Sequence, residues 1–309
     1  MTAEEDSPFR RQEGTSLRSN QNRSLILLYI LPALLLMTSF IYYPLVQNFI
    51  YSFYRWSAFS SSKVFIAFDN YKRLFLDPVF YIAVKNNVLY ALVSVLCQCG
   101  IGLIIAAALE EKFLRRYQGF FRTVYFIPAV ISMTVIGLLW QLIYNPNIGI
   151  VNAMLDLLKL GRFAHEWLGD SNTAIYAIIL VSQWQYTGYI MLLYLVAMQK
   201  IPAELYESAR IDGAGPTRCF FSITIPQIKE MIVVCTVITI IGSFKLFDEI
   251  YVMTAGGPGR STEVLATAMY RSGFRNDEMG YAAAFAVVLF LITFIFTLIQ
   301  LKVSRTSEE

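Results

Sequence analysis

The chain has 309 residues, a net charge of +3 and a mean hydropathy of +0.53; 56% of it is hydrophobic and only 15% charged. Several apolar stretches approach or exceed the ~20 residues that cross a ~30 Å hydrocarbon layer, which excludes a soluble globular fold. The basic residues flank apolar runs instead of gathering in a patch, so nucleic acid is not an expected partner.

Residues 1–24 are polar and of mixed charge, with Arg10, Arg11, Arg18 and Arg23, and read as a disordered arm. The apolar run that follows is longer than a signal-peptide core and lacks a small-residue cleavage site, so it reads as an uncleaved first span. Spans are predicted over 25–50, 87–109, 123–144, 172–198, 231–253 and 279–301, giving an all-α integral membrane protein with six transmembrane helices and both termini on one side. The short loop 111–122 holds Lys112, Arg115, Arg116 and Arg122; with the arm, the 200–230 loop and the tail after Leu301, that side carries 14 Lys or Arg against 10 on the other. The basic side is cytoplasmic by the positive-inside rule. Tyr42, Tyr43, Tyr51, Tyr54 and Trp56 suit an aromatic belt at the outer interface.

Pro32 and Pro44 in the first span and Pro128 in the third predict kinks, either for packing or for movement. Ser132, also in the third span, is a minor candidate for a polar pathway. The outer segment 145–171 has partial helical spacing of apolar residues and reads as an amphipathic surface helix. Its His165 is the chain's single histidine and cannot build a metal cluster. Cys97, Cys99, Cys219 and Cys235 lie in or near spans and read as small apolar packing residues.

The fourth span contains Ser182-Gln183-Trp184-Gln185-Tyr186-Thr187-Gly188-Tyr189, too polar to face lipid. Amides and aromatic rings are the groups that hold sugars, through hydrogen bonds to hydroxyls and stacking on C–H faces. Gln183, Gln185, Tyr186 and Tyr189 either line a pathway or tie helices together.

The loop 200–230 has a helix start at Pro202, good helix formers over Ala203–Ile211, a break at Asp212-Gly213-Ala214-Gly215 and a second start at Pro216. It reads as a compact helix–turn–helix knob, which either orients the spans or fits a groove on a partner. The fifth span holds Phe244-Lys245-Leu246-Phe247-Asp248-Glu249. On a continuous helix Lys245 would stand on one face with Asp248 and Glu249, either as an internal salt bridge or as a charge facing the pathway.

The spacing Glu207-Ser208-Ala209, Gly213, Ile223, Ile225-Pro226 resembles the E-A-A-x3-G-x9-I-x-L-P signature of permease subunits of binding-protein-dependent ABC importers, with Ser208 for Ala and Ile225 for Leu. Phe126-Ile127-Pro128, Asn145-Pro146 and Thr254-Ala255-Gly256-Gly257-Pro258 look like the carbohydrate-importing, maltose-transporter-like branch, and the likeness runs over about residues 25–303. The resemblance implies the type I ABC importer permease fold: a six-span domain over 25–303, with 304–309 as a cytoplasmic tail. It implies a multi-pass subunit of a prokaryotic cytoplasmic membrane that forms half of a sugar pathway and works by alternating access. The implied partners are a second, similar permease, a dimer of ATP-binding subunits and an extracytoplasmic solute-binding protein. Glu204, Glu207, Ser208, Ala209, Asp212 and Gly213 would form the joint with the ATPase, and Phe244 and Lys245 would align with pathway-lining positions.

No G-x4-G-K-[ST] phosphate loop is present, so ATP and Mg2+ would be used by partner subunits and no cofactor by this chain. A polyol or glycerol-phosphate-type substrate remains open. An ion-coupled secondary transporter, relying on Lys245, Asp248 and Glu249, leaves the signature loop unexplained, and a membrane enzyme lacks a nucleophile motif.

Overall fold

The computed structural model describes residues 29–60 and 62–306. The arm expected over 1–24 lies outside the described residues, as do residues 307–309 of the tail. The chain falls into two compact units divided between Tyr51 and Ser52.

The first unit holds helix α1 (Tyr29–Tyr51). A proline ring clashes with the carbonyl four residues earlier. In α1 that carbonyl, of Phe40, lies in a π-turn at Thr38–Tyr42 that widens the helix just before Pro44. The same device recurs in the second unit, where a π-turn at Phe220–Thr224 precedes Pro226.

The second unit opens with a two-stranded antiparallel ribbon, β1 (Tyr54–Arg55) and β2 (Val64–Phe65), paired Tyr54 to Phe65 and Arg55 to Val64. Helix α2 spans Asp69–Leu76. Helix α3 (Pro78–Glu110) starts nine residues before the expected second span, because Asp77 caps it by accepting from the Val79 N–H at 2.9 Å, with Pro78 at its first position. After the short α4 (Lys112–Arg115) come α5 (Gln118–Val130) and α6 (Met133–Ile143). The expected third span is therefore two helices, bent 95° apart at Ile131-Ser132, just after Pro128.

The outer segment holds α7 (Ile150–Leu157), followed by the unbroken 25-residue α8 (Ala174–Met198). The knob supplies α9 (Ala203–Ile211) and α10 (Pro216–Gln227), the latter bent 72° from α11 (Lys229–Phe244). Helix α11 ends at Phe244, and α12 (Asp248–Met253) restarts after a break, so the expected fifth span is not continuous to 253. Helices α13 (Leu265–Tyr270) and α14 (Met279–Thr306) complete the chain.

Among the described residues, three helices are long and apolar enough to cross a membrane, or five if each bent pair counts as one span. Helix α8 has the length but not the composition, because its polar middle, Ser182–Tyr189, lowers its hydropathy. It is nonetheless the axis of the packing. Its first half enters one apolar cluster through Ile175, Ile178 and Val181, and its second half enters another through Ile190, Met191, Tyr194 and Leu195. Between them Gly188 lets α5 approach so closely that a Cβ there would fall on the Tyr125 carbonyl oxygen.

A Gly188→Leu variant is accordingly expected to lose about 1–3 kcal/mol or more through overpacking. Gly119, with open space around its Cβ position, is the control: Gly119→Ala should be neutral. Thermal unfolding of the two detergent-purified variants checks the contrast.

Candidate functional site

Two features of the second unit carry the polar groups that the sequence singles out. The first is a cavity of about 470 Å³ between α3, α5, α8, α11 and α12. Its polar lining comes from Tyr90 and Gln98 of α3, Ser182, Tyr186 and Tyr189 of α8, Thr239 and Ser243 of α11, and Glu249 of α12, with apolar walls that include Phe126, Ile190 and Ile238. Tyr90 donates a short hydrogen bond to the Ser182 hydroxyl, and the Gln98 side-chain amide approaches the same oxygen at 3.5 Å. The Ser243 hydroxyl donates to the Thr239 carbonyl at 2.7 Å.

The helical period of α8 sorts its polar run into two groups. Ser182, Tyr186 and Tyr189, at i, i+4 and i+7, face the cavity. Gln183 and Gln185 turn away and join helices. Gln183 donates to Ser94 of α3 at 3.1 Å. Gln185, 2% exposed, donates at 3.3 Å to the Ile131 carbonyl at the bend between α5 and α6. Ser132 stands at the N-cap position of α6 at that bend without a side-chain capping bond, is exposed, and does not line the cavity.

The break after α11 rearranges the charged segment. Phe244 is buried in an apolar cluster with Leu265, Ala284 and Phe285, its ring 5.4 Å from that of Phe296, and it does not reach the cavity. Lys245 caps the end of α11, and both it and Asp248 are exposed. Among the described residues Lys245 forms no ion pair with Asp248 or Glu249. The one-face arrangement expected of Lys245, Asp248 and Glu249 required a continuous helix, and residues 245–247 are not helical. The break instead delivers Glu249, which lies on the first turn of α12, into the cavity wall. Asn87, fully buried, bridges α11 to α13: its side-chain N–H donates to the Ser243 carbonyl, on the near side of the break, at 2.7 Å, and its side-chain carbonyl accepts from the Leu265 N–H at the start of α13 at 2.9 Å.

Sequence reasoning passed over Tyr90, Gln98, Thr239 and Ser243. Their signal was the spacing of polar groups within apolar spans: Tyr90, Ser94 and Gln98 recur at i, i+4 and i+8, and Thr239 and Ser243 at i and i+4.

The second feature is the knob. Pro202 is the N-cap of α9, Glu204 stands in the first turn and Arg210 in the last, each sign matching the helix dipole. The helix closes on a Schellman motif. Gly213, at φ +81°, donates to the Arg210 carbonyl at 3.0 Å, and Ala214 donates to the Ala209 carbonyl at 2.8 Å. Tyr206 ties the knob down through a 2.9 Å hydroxyl contact with Thr224 of α10. Glu204, Glu207, Ser208 and Ile211 fall at i, i+3, i+4 and i+7 on an exposed face, with Ile211 86% exposed; Ala209 is half-buried beneath, and Asp212 and Gly213 form the exposed rim. The Ser208 hydroxyl is turned back onto the Glu204 carbonyl at 2.9 Å.

Residues 99–307 match the family described as binding-protein-dependent transport system inner membrane component. The chain is 51% identical over 290 residues to the probable ABC transporter permease protein YurN of Bacillus subtilis, covering 94% of this chain and 99% of that one. It is 32% identical over 280 residues to the multiple sugar-binding transport system permease protein MsmF of Streptococcus mutans, covering 91% and 95% of the two chains. Among solved structures it superimposes with a TM-score of 0.82 on a chain of a bacterial ABC transporter involved in the import of the acidic polysaccharide alginate, at 25% identity and covering 94% of this chain and 99% of that one.

The left-handed turn at Gly213 gives a local prediction. A β-branched residue there is strained by at least about 1–2 kcal/mol, so Gly213→Val should open the Schellman bonds. Faster hydrogen exchange at the amides of residues 213 and 214, with α8 amides unchanged, is the expected result.

Proposed function

Because the chain belongs to the family of binding-protein-dependent transport system inner membrane components, we propose that it is the membrane-spanning half of an ATP-driven saccharide importer, coupled to its motor through the α9 knob. It is a permease subunit of multi-pass, inner-membrane type with the type I ABC importer permease fold. The count of six spans adds α8 to the five helices or bent pairs that qualify by composition. In this reading the polar run of α8 is shielded by packing and faces the pathway, so it need not meet lipid. The knob and both termini lie on the cytoplasmic side with the basic loop 111–122.

The saccharide reading is supported by the likeness to MsmF, described as a sugar permease, and to the alginate importer. It also fits a cavity lined by hydroxyls, an amide and aromatic rings, groups that hold polyols by hydrogen bonding and stacking. A second permease completes the pathway, a solute-binding protein delivers the substrate, and two ATP-binding subunits hydrolyse ATP. Their closure would draw two knobs together and turn the cavity outward.

The observation that carries the coupling role is the exposed face of α9, which presents Glu207 and Ile211 to a partner while Tyr206 anchors the helix behind them. An apolar residue flanked by carboxylates on a rigid, capped helix is a docking surface. Co-purification of the tagged chain with its ATP-binding subunit, followed by ATPase turnover in proteoliposomes, tests it. Glu207→Lys and Ile211→Asp should each reduce association or turnover by at least about tenfold, the equivalent of ~1.4 kcal/mol. Lys159→Gln, in the outer segment, should behave as the parent. A parent chain that purifies without an ATPase, or variants that couple normally, would remove the reading.

A further inference from the structure

The cavity beside α8 is lined by one acidic side chain. Among the described residues of its lining that residue is Glu249, and no Lys or Arg takes part. Glu249 is 7% exposed and shares the cavity lining with Tyr186 and Tyr90. The nearest cation in sequence, Lys245, lies across the helix break, exposed and outside the lining.

We propose that Glu249 makes this cavity a filter on substrate charge, admitting saccharides that turn hydroxyl or amine donors toward its carboxylate and rejecting uronic acids. The inference rests on the saccharide reading given above and goes one step further, to the chemical class. An ionised carboxylate only accepts hydrogen bonds, so its partner must bring donors. Sugar hydroxyls do so, and an ammonium does so with a compensating charge. A uronate would place a second carboxylate beside Glu249 in surroundings of low dielectric, where like charges repel strongly. The neighbouring groups suit a hydroxyl-rich ligand: the Tyr90 and Ser243 hydroxyls, whose protons go to Ser182 and to the Thr239 carbonyl, can accept, and the Ser182 hydroxyl can donate. The alginate transporter has the same fold and is described as importing an acidic polysaccharide. The fold therefore leaves substrate charge open, and the side chains at the cavity decide it.

The test uses the assembled membrane complex without its solute-binding protein, so that only the membrane subunits select. Binding of three fluorescent β-1,4-linked trisaccharides is measured, built from glucose, glucosamine and mannuronate. The parent should bind the glucose or glucosamine compound at least about tenfold more tightly than the mannuronate compound. Glu249→Gln, nearly isosteric, should erase most of that ratio, while Glu249→Asp and the exposed-site variant Asp248→Asn should keep the order. Equal binding of the mannuronate compound by the parent would overturn the filter. So would an unchanged ratio in a correctly assembled Glu249→Gln complex, and in both cases the saccharide reading would survive. If the parent complex hydrolyses ATP but binds none of the three, the saccharide reading fails and the filter falls with it.

Discussion

The structure depends on one constraint: where an apolar helix breaks, the backbone groups it frees must find partners inside the protein. At membrane depth water is not there to take them, and each unsatisfied group costs several kcal/mol. The chain meets this demand with amide side chains, which offer a donor and an acceptor on one short arm. Gln185 takes the Ile131 carbonyl at the bend between α5 and α6. Asn87 takes the Ser243 carbonyl at the break before α12 and the Leu265 N–H at the start of α13. Gln141 donates to the carbonyls of Val252 and Met253 at the end of α12, at 2.9 and 3.0 Å, and Asn86 to those of Ser261 and Glu263, both at 2.8 Å.

These stitches also build the cavity. Asn87 satisfies the Ser243 carbonyl at the break before α12, and the break places Glu249 in the cavity wall while Lys245 and Asp248 stay outside it. On α8 the same division of labour appears within eight residues. Gln183 and Gln185 fasten neighbouring helices, and Ser182, Tyr186 and Tyr189 are left to face the space between them. Of the polar middle that disqualifies α8 as a plain apolar span, Gln183 ties α8 to α3, Gln185 takes the carbonyl at the α5–α6 bend, and Ser182, Tyr186 and Tyr189 line the cavity.

The knob follows a different logic. It is held by bonds between near neighbours, from the Pro202 cap to the Schellman closure at Gly213, and needs one long-range contact, Tyr206 to Thr224. Its exposed face is apolar and acidic. The cavity, by contrast, is lined from five helices, three of them beside breaks.

The two features were accordingly legible to different degrees. The sequence alone determined the membrane class, the family resemblance, the helix–turn–helix form of the 200–230 loop and the polar character of the fourth span, because these rest on composition and on contacts a few residues apart. It also located the prolines near which α5 and α10 end. Only the tertiary structure decided that the fifth span stops at Phe244, that Phe244 enters the core, that Ser132 stands at a bend, and that Glu249, not Lys245, reaches the cavity. The reason is physical. A helix continues by default through Lys245–Phe247 unless the groups it would free find partners elsewhere, and here the Ser243 carbonyl finds Asn87, 156 residues away in the chain. Periodicity along one helix can say which residues share a face. Which way that face points is set by the neighbours packed against it.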